Sequence, residues 1–252
     1  MNKEEFLEMR KEFGSLVANF DRFQKDCFII DLNYNLAFFQ ELEPTRKLEL
    51  EIYIIGQAIA QKDLGKSVDE IKQYIDHIKE SYEKERESAK NKNNYAKQVI
   101  AYTSRISKEE RQEVEDLYFN FMVENHPLVN LLANETAKGA YEIIKKYYFE
   151  SNLPGLKEIL PVQGKALEHP EINDENEYIK FSQVYFDSRN QVTKAYTEQS
   201  KKYPFVKREV FKDEMSIERE RDELNLNRKK LEQTNKKAHE DFVKNFEFDF
   251  SL

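Results

Sequence analysis

The sequence predicts an all-α protein, and three features of its composition support that fold class. Charged residues fill 35% of the 252 positions, yet 18 Phe and 14 Tyr supply the large apolar side chains that disordered chains lack. Only 6 Gly and 6 Pro are present, which leaves few residues for the tight turns of a β-protein. Many Glu, Lys, Leu, Asn and Gln residues favour long, solvated helices instead.

The net charge and the cysteine content narrow the classes of partner. A net charge of −8, with nearly all Lys and Arg interleaved with Glu and Asp, argues against nucleic-acid binding, because phosphate backbones are also negative. No apolar stretch approaches the roughly 20 residues that a membrane span needs, so no membrane partner is expected. The first ten residues are charged, unlike a secretion signal. Cys27, which has no second cysteine to pair with, suits a reducing compartment, and we expect a cytoplasmic protein.

The first part of the chain has the apolar spacing of a coiled coil. Apolar residues from Phe6 to Cys27 alternate spacings of three and four over about three heptads. The stretch DLNYNL at 31–36 is expected to interrupt this helix. These apolar residues, the N-terminal seam, either pack within one chain or join two copies in a homodimer.

The next stretch predicts a long antiparallel helical hairpin. A helix is expected to start after Pro44 and to end near Gly65, a residue suited to the position just past a helix C-terminus. Ser67 and Glu70 have the spacing of a capping box that opens the following helix. Isoleucines at helical spacing on both helices predict that the two pack against each other.

A helix–loop–helix follows in the central segment. Ser107 and Glu110 form a second capping box at the start of a helix. His126-Pro127 is expected to end that helix, because a residue before proline is disfavoured in the α region. The next helix is expected to begin near Asn134.

The last part of the chain predicts two more helices after a linker. Prolines and a glycine at 161–175 mark the linker, and a helix with Tyr178, Phe181 and Tyr185 on one face follows it. The final charged helix has too thin an apolar stripe to be buried, but enough for a weak partner contact. The tail FEFDFSL is apolar enough to dock on some other surface, within the chain or on a partner. The apolar stripe of that final helix recurs every seven residues, at Ile217, Leu224, Leu231 and Ala238.

Several of these stretches together resemble bacterial J-domain-like (DnaJ-related) helical proteins. The likeness is carried by LELEIYIIGQAI and GKSVDEIKQYIDHIKESYEK, by VEDLYFNFMVENHPLVN with NETAKGAYEIIKKYYFESNLPGLKEIL, and by KYPFVKREVFKDEMSIERERDEL. The resemblance implies an N-terminal helical hairpin or coiled coil over 1–94, a J-like helix–loop–helix core over 95–168, and a charged C-terminal helical arm over 169–252. In that family, a His-Pro-Asp loop and a basic preceding helix dock on a DnaK-type chaperone and stimulate its ATPase.

Two features of this chain depart from that pattern. His126 and Pro127 match the family's motif, but Leu128 stands where the aspartate is expected and cannot accept a charge-assisted hydrogen bond. Residues 108–124 carry a net charge of −4, the opposite sign from a basic docking helix. We therefore hypothesise a degenerate J-like protein that does not stimulate an ATPase.

These observations favour a non-enzymatic adaptor that binds another protein. His126, Pro127 and Leu128 are either a structural turn or a weak partner-binding surface. The sequence has no Gly-rich phosphate loop, GxSxG, HExxH or cysteine pair, so we expect no catalytic residues, metal site or cofactor. Two alternatives stay open: a functional co-chaperone of a DnaK-type ATPase, and an enzyme or metal protein whose site the sequence does not reveal.

Overall fold

The predicted all-α fold class is confirmed. The computed structural model describes residues 2–168, 172, 174–248 and 250, and within these ranges the chain forms helices and no strand. The predicted linker at 161–175 is wrong for its first part, which is helical up to Ala166, while another part of it and the predicted boundary at residue 169 lie outside the described residues. The α-helices are α1 (Lys3–Asp63), α2 (Val68–Thr103), α3 (Lys108–Asn125), α4 (Glu135–Phe149), α5 (Leu153–Gln163), α6 (Glu175–Gln199) and α7 (Glu214–Asn245), with 3-10 helices at Gly164–Ala166 and Phe205–Lys212.

The first helix is much longer than the sequence predicted. The expected interruption at 31–36 and the expected new start after Pro44 are both wrong, because α1 continues without a break from Lys3 to Asp63. Tertiary packing holds residues 31–36 in the helix, since Leu32 and Tyr34 are buried. Pro44 lacks the N–H of a normal helical residue, so it removes one backbone hydrogen bond without ending the helix.

Most of the predicted helix ends are confirmed. Ser107 and Glu110 form the capping box at the start of α3, and His126 caps its C-terminus. The side chain of Asn134 accepts a hydrogen bond from the first turn of α4. Gly65 has a φ of 81°, a left-handed conformation that favours glycine at the end of α1.

The chain divides into two compact units, each built from two separate stretches. The first unit combines the residues up to Asp31 with Val99–Lys207, and the second combines Leu32–Gln98 with the residues from Arg208 onward. Helices α1 and α2 therefore contribute residues to both units. The division into three segments at 94/95 and 168/169 stays a prediction.

The first unit has two apolar clusters. One joins α3, α4 and α5, and includes Tyr118 and Tyr148, whose ring centroids lie 3.7 Å apart. The other packs the N-terminal seam of α1 against α6 within the same chain. In that cluster Phe6 stacks on Tyr178 with centroids 4.9 Å apart, and Phe13 stacks on Tyr185 at 5.2 Å.

The second unit has one apolar cluster, formed by α1, α2 and the end of α7. Its buried members from α1 and α2 are Ile54, Ile55, Ala58, Ile71 and Ile75, and those from the C-terminal part are Phe242, Phe246 and Phe250. The predicted docking of the apolar tail is thus confirmed for its described residues. The regular long hairpin and the coiled coil stay predictions.

No helix in the described ranges is long and apolar enough to cross a membrane.

At Gly14, α1 approaches the backbone of α3 closely. A Cβ atom added there would lie 1.8 Å from the carbonyl oxygen of Val123 and 2.8 Å from its carbonyl carbon. Both atoms belong to backbone, so they cannot move aside as a flexible side chain could. Gly139 on α4 is different, because a Cβ atom there would meet nothing within 4 Å.

We predict opposite effects of alanine at these two glycines. Gly14→Ala should lower the free energy of unfolding by about 3 kcal/mol or more, because the methyl group overlaps backbone atoms of α3. Gly139→Ala should raise it by about 0.5–1 kcal/mol, because alanine is the better helix former and has room. Urea unfolding followed by circular dichroism measures both changes. Equal effects of the two substitutions would contradict the close approach of α1 and α3.

Candidate functional site

The α3–α4 loop, residues 126–134, contains the three site residues that the sequence singled out. The structure separates them by exposure. His126 is 5% exposed, Pro127 is half-buried, and Leu128 is 43% exposed. The imidazole therefore faces the interior of the first unit, whereas the leucine faces solvent.

The imidazole of His126 fastens the start of the loop to the core. Its Nδ1 accepts a hydrogen bond from the backbone N–H of Leu128 at 3.0 Å. Its Nε2 lies 3.1 Å from the hydroxyl oxygen of Tyr141 and 3.4 Å from Oδ2 of Asp21. Because Nδ1 accepts in this geometry, Nε2 is the ring nitrogen placed to donate toward these two oxygens.

Asp21 of α1 is the centre of the buried polar network behind the loop. It is 2% exposed and accepts hydrogen bonds from the hydroxyls of Tyr118 at 2.7 Å and Tyr141 at 2.9 Å. The ammonium of Lys145 lies 3.1 Å from its Oδ1. Burial raises the pKa of Asp21, but the interaction with His126, the charge of Lys145 and the hydrogen bond from Tyr118 together outweigh burial, so the pKa lies below its usual value.

A second carboxylate, Glu115 of α3, joins the same three helices. It contacts the ammonium of Lys25 at 2.7 Å and the guanidinium of Arg22 at 3.1 Å, both on α1, and accepts a hydrogen bond from Tyr148 of α4 at 2.7 Å. Burial raises the pKa of Glu115, but the nearby Lys25 charge and these hydrogen bonds lower it overall. Pairing offsets the cost of removing these charges from water.

Further hydrogen bonds fix the backbone of the loop. Tyr185 of α6 donates from its hydroxyl to the carbonyl of Val129 at 2.8 Å. The Asn130 side chain donates to the carbonyl of Leu167 at 2.9 Å and accepts from the N–H of Leu132 at 3.2 Å. Asn130 is 3% exposed, so these bonds are shielded from competing water. The loop is therefore held from α4, α6 and the segment after α5.

Two leucines point outward from this fixed loop. Leu128 is 43% exposed and Leu132 is 55% exposed, while Val129 between them is fully buried. A single exposed leucine on a protein surface is ordinary. Here two of them stand on one short loop whose backbone is fixed by several hydrogen bonds.

Sequence reasoning found the loop but missed the residues that hold it. Asp21, Asn130 and Tyr185 carry no motif, and their partners are far away in the chain. One signal was present for Asp21. It stands four residues after Val17, which is buried, so a carboxylate occupies the apolar side of α1.

Other features offer little chemistry. Burial and the charge of Asp26 raise the pKa of the Cys27 thiol to about 11, so the thiol is protonated. Within the described ranges, no group of three or more His, Cys, Asp and Glu side chains is placed to hold a metal ion.

Comparison with models of known protein families, with curated proteins and with solved structures finds no match to this chain. The likeness to J-domain-like proteins therefore depends on the sequence stretches described above.

We predict that Asp21→Asn lowers the free energy of unfolding at neutral pH by about 3 kcal/mol, because it removes the buried charge that Tyr118, Tyr141 and His126 contact and leaves the partly buried Lys145 without its counter-ion. Asp116→Asn is the matched control. Asp116 is an exposed α3 carboxylate that accepts a hydrogen bond from Gln112 at 2.9 Å, so its substitution should change stability by less than about 0.5 kcal/mol. Urea unfolding of both variants beside the wild type measures the difference.

The effect of Asp21→Asn should also depend on pH. The pKa of Asp21 in the folded state lies below its ordinary value of 3.8, so its stabilising contribution is fully present above that value. The contribution is lost as the pH falls through the folded-state pKa. The stability gap between wild type and Asp21→Asn should therefore narrow below pH 3.8. A gap that stays constant on acidification would show that the charge of Asp21 does not stabilise the fold.

Proposed function

We propose that this protein is a non-enzymatic adaptor that binds a partner protein through the α3–α4 loop. The observation that carries this proposal is the orientation of the loop's side chains. His126 is committed to Asp21, Tyr141 and the loop backbone, which leaves Leu128 and Leu132 as the exposed large apolar side chains of the loop.

The rigidity of the loop favours binding. Ordering a flexible loop in a complex costs conformational entropy, and a loop already fixed by hydrogen bonds avoids most of that cost. Burying a leucine side chain contributes roughly 1.5–3 kcal/mol. Two leucines and their surroundings are suited to a modest, reversible contact with an apolar patch on a partner.

We also propose that the protein is related to DnaJ-type co-chaperones, without stimulating a chaperone ATPase. The order of helix, His-Pro and helix supports the relation. Two features support the loss of stimulation: Leu128 offers no carboxylate, and exposed Glu109, Glu113 and Asp116 give α3 an acidic surface. The single Cys27, with a protonated thiol, supports a cytoplasmic location.

The first test measures ATP turnover by a DnaK-type chaperone in the presence of this protein. We expect wild type to leave turnover at the basal rate, since its loop lacks the carboxylate. Leu128→Asp restores the family's motif at an exposed position and should fold normally. Stimulation by this variant alone would support the relation to co-chaperones, whereas stimulation by wild type would contradict the adaptor function.

The second test asks whether the loop touches a partner. A photo-crosslinking amino acid at position 128 should yield one dominant crosslinked protein in cells that express this chain. Val162 on α5, which is 65% exposed in the same unit, gives the matched control position. Leu132→Asp should reduce the yield from position 128, because it places a charge in the apolar contact. The same products from both positions, or none from position 128, would contradict the proposal.

A further inference from the structure

The C-terminal residues of the described chain occupy an apolar groove in the second unit. We call residues 246–250 the aromatic tail; their sequence, FEFDF, alternates phenylalanine with acidic residues. Phe246 and Phe250 are each 6% exposed, and Phe248 is partly buried in the same apolar cluster. The tail groove is the part of that cluster formed by α1 and α2: Ile54, Ile55, Ala58, Ile71 and Ile75.

Lysines from the two helices lie over the rings of the tail. The ammonium of Lys62 lies 5.2 Å from the ring centroid of Phe246, that of Lys72 lies 4.7 Å from Phe248, and that of Lys79 lies 5.0 Å from Phe250. Each arrangement has the geometry of a cation–π contact. Lys62 also donates a hydrogen bond to the carbonyl of Asn245.

These contacts match the alternation in the tail sequence. A groove with an apolar floor and a cationic rim attracts aromatic rings through both burial and cation–π contacts. The same rim favours acidic residues between the rings, because their charges are opposite to those of the lysines. The groove therefore has the chemistry to recognise a short aromatic and acidic peptide.

The helix that leads into the tail, α7, makes buried polar contacts with α1. Tyr34 donates to Glu220 at 2.5 Å, and Asn235 donates to Glu51 at 2.6 Å. Phe242 is the apolar residue of α7 that is fully buried. Among the described residues after Arg208, the buried apolar side chains thus lie at the end, in Phe242 and the aromatic tail.

We propose that the tail groove is a binding site for a partner protein that carries a Phe-acidic-Phe-acidic-Phe segment, and that the chain's own tail occupies it as an internal competitor. A partner segment binds when it displaces the tail. This site belongs to the second unit and does not depend on the function proposed for the α3–α4 loop.

An internal competitor makes a clear thermodynamic prediction. A tethered segment acts at a high effective concentration, so an added peptide binds wild type only weakly. Substitutions that weaken the contacts between the tail and the groove should make the groove accessible to the added peptide. Each 1.4 kcal/mol of tail contact that is removed should strengthen the apparent binding of the peptide by about tenfold.

The experiment uses a fluorescein-labelled peptide with the sequence of residues 244–252, KNFEFDFSL, and the full chain with Phe248→Ser and Phe250→Ser. Fluorescence anisotropy should show that this variant binds the peptide at least about tenfold more tightly than wild type does. A peptide with its three phenylalanines replaced by serine is the control and should not bind. Phe248 is the least buried of the three rings, so Phe248→Ser alone serves if the double variant does not fold.

A charge-reversal pair tests the rim of the groove. Lys72→Glu with Lys79→Glu, introduced into the tail-weakened chain, should reduce peptide binding about tenfold or more, because the cation–π contacts become repulsive. Lys229→Glu with Lys230→Glu on the exposed side of α7 makes the same change in net charge and should leave binding unchanged.

Three results would overturn the proposal. Equal binding of the peptide to wild type and to the tail-weakened variant would place its contact outside the groove. No binding to a variant that retains its helical circular dichroism and cooperative unfolding would mean that the tail only completes the core. A wild-type dimer in light scattering that the tail substitutions abolish would make a second copy of this chain the occupant of the groove.

Discussion

The pairing of one buried carboxylate organises the first unit. Asp21 is almost completely removed from water, and a charge in that position is tolerated only where hydrogen bonds and opposite charges surround it. Its partners come from α3, from α4 and from the loop between them, so these elements must meet α1 in one arrangement. Glu115 is stabilised in the same way, by partners on α1 and α4. The relative placement of the helices thus depends on satisfying two anions.

This constraint also decides what the α3–α4 loop can offer to other molecules. A His-Pro pair suggests a functional histidine, but both ring nitrogens of His126 make contacts within the fold. The surface chemistry of the loop is therefore that of its leucines. Tyr185 and Asn130 also hold the loop in place by hydrogen bonds, so the exposed leucines stand on a fixed backbone.

Local sequence rules predicted most helix ends, whereas features that depend on tertiary packing could not be predicted from the sequence. The capping box of Ser107 and the glycine at position 65 are determined by residues within one turn, which a sequence displays directly. The continuity of α1 through Pro44 depends on burial that the local pattern does not contain. Similarly, Asp21 is separated from Tyr118 and Tyr141 by 97 and 120 positions, and no spacing rule connects residues so distant. The loop could be found from its His-Pro pair, whereas the network behind it could not.

The division of each unit into two stretches has a consequence for synthesis on the ribosome. The first unit contains residues up to Lys207, so every part of it has been made before α7 emerges. The second unit needs the residues from Arg208 onward, although its other half was translated much earlier. During that interval the isoleucines of α1 and α2 have no cover from the C-terminal phenylalanines, and a nascent chain with exposed apolar surface is prone to aggregation. The order of translation thus makes the second unit the late-folding half of this protein and the one with the greater need for chaperone protection.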